Sequence, residues 1–151
     1  MRSASRRRLK GMTDDVPVTL ALPIAQRAAA LAFYRDALGL EPFGEPGSDG
    51  IPEPLQFAVN EGLNLMLIPT RGFGWVIGDR EVAEPWACEC LLALDVPDAA
   101  AVDAAVERAR AAGADVVAEP ATQPWGDYTG TFADLDGHLW NVAAKSVAST
   151  P

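Results

Sequence analysis

The spacing of apolar residues changes along the chain, and each change marks an element. "VPVTLALPI" (16–24) alternates apolar and small residues, the period of a strand. "AQRAAALAFYRDAL" (25–38) then sets Ala28, Leu31, Tyr34 and Leu38 on one helical face, and Gly39 ends the helix. After a Gly/Pro-rich loop, "LQFAVN" (55–60) and "LNLMLIP" (63–69) flank Glu61-Gly62 and predict a hairpin. The second half follows the same plan. "CECLLALDV" (88–96) predicts a strand that Pro97-Asp98 breaks, with Asp98 as a helix N-cap. Val102, Ala105, Val106 and Ala109 keep the helical period, and Gly113 is the expected C-cap. "ADVVAEP", "YTGTFAD" and "HLWNVAA" supply three more strands.

The two halves align with each other. "TLALPI" (19–24) matches "LLALDV" (91–96) at an offset of 72, and "GLNLMLI" (62–68) matches "GHLWNVA" (137–143) at an offset of 75. Each half reads as a β-α-β-β-β module, a duplication in which neither unit buries its sheet alone. The expected organisation is a basic arm over 1–15, read as disordered, then a first module over 16–69 and a linker or flap over 70–87. A second module over 88–145 and a tail over 146–151 complete it. The fold class is α+β, two tandem modules forming a cupped mixed sheet with the helices outside.

Charge narrows the partners. Of 12 basic residues, five lie in the first ten positions, and all 21 acidic residues come after them. So acidic a body repels phosphate backbones, and no nucleic-acid partner is expected. Apolar runs are too short to span a bilayer and the N-terminus lacks an apolar signal segment, so the expectation is a cytoplasmic protein without a membrane partner. Met12, after the arm's basic residues, offers an alternative start. Cys88 and Cys90, read as neighbours on one strand face, are expected to be buried free thiols. No phosphate-loop, dinucleotide or nucleophile-elbow motif occurs.

Paired modules, "LAFYRDALGLE" after the first strand and "FADLDGHLWNVA" at the end resemble the vicinal-oxygen-chelate superfamily. That superfamily holds glyoxalases, extradiol dioxygenases, fosfomycin-resistance enzymes and bleomycin-resistance proteins. "MLIPTRGF", "ECLLALDV" and "YTGTFADLDGHLW" are most similar to its small proteins described as predicted lactoylglutathione lyases. The resemblance implies a homodimer and a cup between curved sheets. It also implies one divalent metal, held from the first and last strands of each module. Carried onto this chain, the ligand positions fall on Thr19, Met66, Leu91 and Asn141, the last standing where the family pattern has glutamate. A hydroxyl and an amide are the only oxygen donors in that set, so neither metal nor other cofactor is expected.

The implied function is therefore binding of a small apolar or cationic molecule in the cup. The alternative is a glyoxalase-like lyase or isomerase, or a dioxygenase, with a non-standard metal site or metal-independent chemistry. Thr19, Met66, Leu91 and Asn141 would line the cup. Trp75, Trp86, Trp125 and Tyr128 would sit at its mouth, where aromatics suit a dimer interface equally well, with closure of the core a third reading. Glu89, on an otherwise apolar strand, is the one catalytic candidate, as a base or a cation-holding group. Its plainer reading is a rim carboxylate, solvated or paired with Arg71 or Arg80. His138, the only histidine, falls on the opposite face from the cup and is read as part of the turn.

Overall fold

The structure, a computed structural model, describes Gly11 and residues 16–146. The basic arm, apart from Gly11, and the end of the tail lie outside the described residues.

Sheet one contains β1 (Val18–Ile24), β2 (Pro42–Phe43), β3 (Leu55–Asn60) and β4 (Leu63–Pro69), in the order β1-β4-β3-β2. Sheet two contains β5 (Leu91–Asp95), β6 (Asp115–Thr122), β7 (Tyr128–Ala133) and β8 (Leu139–Ala144), in the order β5-β8-β7-β6. In each sheet the first strand of the module runs parallel to the last, and the remaining pairs are antiparallel. The two halves thus repeat one topology, as their internal likeness predicts. Helices α1 (Arg27–Leu38) and α3 (Ala99–Ala111) follow the first strands. A third, α2 (Thr70–Val76), lies within the segment read as linker.

Helix ends follow local chemistry. Asp98 accepts from the Ala101 N–H at 2.8 Å, capping α3 as predicted. Gly39, at φ 65°, closes α1 and returns its N–H to Arg35 O at 3.0 Å. The end of α3 differs slightly: Ala112 is the C-cap, and Gly113, at φ 103°, comes one residue later.

One core serves both modules. On β1, Leu22 and Ile24 are buried, and on β3 and β4 so are Leu55, Phe57, Leu65 and Leu67. From sheet two come Leu92, Phe132, Trp140 and Val142. Between them lies α1, whose Tyr34 ring meets Phe57 of sheet one at 5.5 Å and Trp140 of sheet two at 6.0 Å. The helix side of each sheet therefore faces the other module, and α1 sits inside rather than outside. This explains the α1 face that is observed. Ala30, Leu31, Phe33, Tyr34 and Ala37 are buried while Ala28 is exposed, because the helix is contacted from two sides. The α3 face, touched from one side, matches the expected Val102, Ala105, Val106 and Ala109.

The turn before β8 locks the modules together. The Asp134 carboxylate, buried, accepts from Tyr34 Oη at 2.5 Å with one oxygen. With the other it accepts the backbone N–H groups of Asp136 and His138, each at 2.9 Å. Trp140 Nε1 donates to the same tyrosine oxygen at 3.2 Å. Burial, and next the Asp134 charge, push the Tyr34 hydroxyl well above its usual range. Two more bonds reach the first module. Asp136 accepts from the Ala25 N–H at 2.8 Å, and His138 Nε2 lies 2.6 Å from Pro23 O. A carbonyl only accepts, so this ring nitrogen carries the proton.

Two outcomes are expected. Tyr34→Phe leaves Asp134 short of a donor in the core and should cost about 1–3 kcal/mol in urea unfolding. The raised pKa stabilises the folded state below pH about 10, where the unfolded tyrosine begins to ionise, and that stability is lost as pH rises toward the folded value. The wild type should therefore lose an alkaline increment of stability that Tyr34→Phe does not lose. Separately, a Cβ at Gly130 would stand 2.8 Å from Val106 Cγ2, with Pro120 on its other side. Gly130→Ala should lower stability by about 1–3 kcal/mol through overpacking.

Candidate functional site

Because the modules pack helix side to helix side, their other faces point outward. In sheet one the outward residues are Thr19, Ala21 and Pro23 on β1, paired in register with Asn64, Met66 and Ile68 on β4. In sheet two Ala93 pairs with Asn141, and Leu91 with Leu139. The internal symmetry holds to the residue, since Met66 pairs with Ala21 and Asn141 with Ala93, 75 and 72 positions later. These faces are incompletely covered: Thr19 is exposed, Met66 and Asn141 are half-buried, and Leu91 is 53% exposed. The four positions expected to line one cup thus fall in two pairs on two sheets.

Their chemistry does not suit a divalent ion. The Asn141 amide nitrogen is spent on Thr131 Oγ1 at 2.9 Å, a cross-strand bond that fixes the side chain along the sheet. Leu91 and Met66 offer no hard donor, and Thr19 offers only a hydroxyl. Among the described residues, no three His, Cys, Asp or Glu side chains form a group that could hold a metal ion. The residues present do not fit the metal that the fold suggests.

A second concavity lies within the chain. A crevice of about 850 Å³ runs between β1, α2, the 80–90 segment and the turn before β8. Leu20, Phe73, Ile77 and Val82 give it an apolar wall, and Glu81, Glu84, Glu89 and Asp136 bring carboxylates to it. Asp136 is half-buried, and burial raises its pKa against the lowering effect of the Ala25 N–H. Pro85 lines the crevice, and its carbonyl occupies the space that a Cβ on Gly137 would need. Gly137 also adopts φ 89°, a conformation that favours glycine.

Glu89 is therefore not where the sequence placed it. β5 begins at Leu91, so Glu89 is an exposed residue of the preceding segment and does not share the outward sheet face. The same shift corrects the cysteines. Cys88 and Cys90 are exposed, with Cys88 Sγ 3.4 Å from Cys90 O, and both line the crevice. His138 borders the crevice too, with Nε2 held by Pro23.

The aromatic residues divide. Trp75 on α2, Trp86 in the linker and Trp125 before β7 are 86%, 82% and 66% exposed, unusually open for tryptophan. None of them lines the crevice. Tyr128 lies on the helix side of β7 and donates to Asp103 Oδ1 of α3 at 2.7 Å, so it belongs to the packing of α3. What sequence reasoning missed was the crevice itself. Its one visible signal was Gly137 in "DLDG", a glycine that the linker presses against.

Comparison with known proteins places this geometry. Among solved structures, a hypothetical protein from S. aureus is 26% identical, with a TM-score of 0.73, covering 89% of this chain and 96% of its own. A glyoxalase-related enzyme from Fulvimarina pelagi is also 26% identical, with a TM-score of 0.73, covering 87% of this chain and 88% of its own. The antibiotic binding protein TnmS3 from Streptomyces sp. CB03234 shares the fold at 23% identity and a TM-score of 0.61, covering 90% of this chain and all of its own. Comparison with curated proteins gave no match. The sequence matches one family over residues 17–142, and the chain belongs to the Glyoxalase/Bleomycin resistance protein/Dioxygenase superfamily.

Proposed function

We propose that the protein binds a small apolar or cationic molecule without a metal. The ligand would lie in a cup that forms when the outward face of sheet one meets the outward face of sheet two in a second copy. The observation that carries this reading is the pair of open sheet faces. Ala21, Met66 and Ile68 on one, and Leu91 and Ala93 on the other, present small and apolar side chains to solvent in a single chain. Apolar sheet faces of this kind are favoured when covered, at roughly 25 cal/mol per Å² of apolar area. The exposed Trp75, Trp86 and Trp125 suit either the mouth of such a cup or the rim of the contact between copies.

The donor set supports binding over metal chemistry, because Thr19, Met66, Leu91 and Asn141 supply shape and one or two hydrogen bonds. A lyase reading would use Glu89 as base, and Glu89 stands in the segment before β5, off the cup face. Likeness in fold to an antibiotic binding protein is compatible with a sequestering role. Among the described residues no helix is long and apolar enough to cross a membrane.

Titration with Nile red, a neutral dye that brightens in apolar surroundings, tests the reading. Saturable binding that is unchanged by EDTA is expected. Thr19→Glu and Leu91→Glu, one on each open face, should each weaken it about tenfold or more, the cost of a carboxylate beside an apolar ligand. A stoichiometric divalent ion in the purified protein, with binding lost on chelation, would contradict the proposal.

A further inference from the structure

The crevice between β1, α2 and the 80–90 segment meets the open faces at Ala21, Pro23 and Leu139, is otherwise built from residues off those faces, and lies within one chain. We propose that it is a second binding site, one that takes an amphipathic organic cation: an amine, quaternary ammonium or phosphonium on an apolar body.

Size and lining fix the class. About 850 Å³ lies in the range of drug-sized pockets. The wall of Leu20, Phe73, Ile77 and Val82 offers apolar area to the body of a ligand, while four carboxylates face a single guanidinium, Arg80. Glu81, Glu84 and Glu89 have no ion pair among the described residues, so their charge is not neutralised from within. Walls of low dielectric around like charges focus the field on whatever enters, which favours cations and repels anions. Asp136 adds a half-buried carboxylate, already oriented by the Ala25 N–H. A cation brought there would compensate the burial that now penalises its charged form.

The thiols of the wall are not the recognition group. Cysteine is activated by neighbouring positive charge, and the surroundings of Cys88 and Cys90 are acidic. They are useful reporters instead. They are the only cysteines in the chain, both are exposed, and both line the crevice.

The experiment compares two probes of nearly identical shape and opposite charge, tetraphenylphosphonium and tetraphenylborate. The readout is the rate of alkylation of Cys88 and Cys90 by iodoacetamide, followed by mass spectrometry on the full chain. Tetraphenylphosphonium should slow alkylation saturably, and tetraphenylborate should not. Replacing both Glu84→Gln and Glu89→Gln should weaken the protecting phosphonium concentration about fivefold, the scale of two partly exposed charge contacts. Excess Nile red, the cup probe, should leave the protection intact. Equal protection by the borate, no protection by the phosphonium, insensitivity to the glutamine substitutions, or displacement by Nile red would each overturn the proposal. Failure of the cup reading alone would leave phosphonium protection in place, so the two outcomes are distinguishable.

Discussion

The structure depends on one buried carboxylate. Asp134 sits where the second module meets the first, and it uses both oxygens: one for the Tyr34 hydroxyl and one for two backbone N–H groups of its own turn. A buried charge of this kind is tolerated only when it is fully hydrogen-bonded. Here the hydrogen bonds come from both modules at once. The turn it shapes then delivers Asp136 to Ala25 and His138 to Pro23, so three contacts, from alternate residues, join the second module to the end of β1 and to α1. A single Asx-type turn thus sets how the two halves are oriented.

That orientation decides what is left open. With α1 held between the sheets by Tyr34 and Trp140, the helix sides share one core and the outward faces are left to solvent. The same turn forms one wall of the crevice, since Gly137 lies against Pro85 and brings the linker onto the molecule. Packing between modules, open outer sheet faces and an acidic crevice are consequences of one local arrangement. His138, the chain's only histidine, serves this arrangement as a hydrogen-bond donor.

Much of the fold was legible because periodicity and duplication report burial. The α3 face and the Asp98 cap could be read directly, and the offsets of 72 and 75 anticipated the observed register of Met66 with Ala21 and of Asn141 with Ala93. Reading failed where the environment was not one-sided. The α1 face was shifted because two sheets contact that helix. The short helix α2, with Gly72 and Gly74 inside it and no buried residue, has no apolar period to detect. Cys88, Glu89 and Cys90 look like an extension of "LLALD", but β5 starts only at Leu91. Tyr128 was expected at the mouth of the cup, but its partner Asp103 lies 25 residues away on α3. The crevice left only Gly137 as a sign in the sequence, because an aperiodic linker forms much of its wall.

Whether the open faces are completed by a second copy is the central question, and sedimentation equilibrium answers it most directly. The wild type should sediment at twice the mass of the chain, with a shift toward the single chain for a variant carrying both Thr19→Glu and Leu91→Glu. A wild-type protein that sediments as a single chain across the accessible concentration range would contradict completion by a second copy.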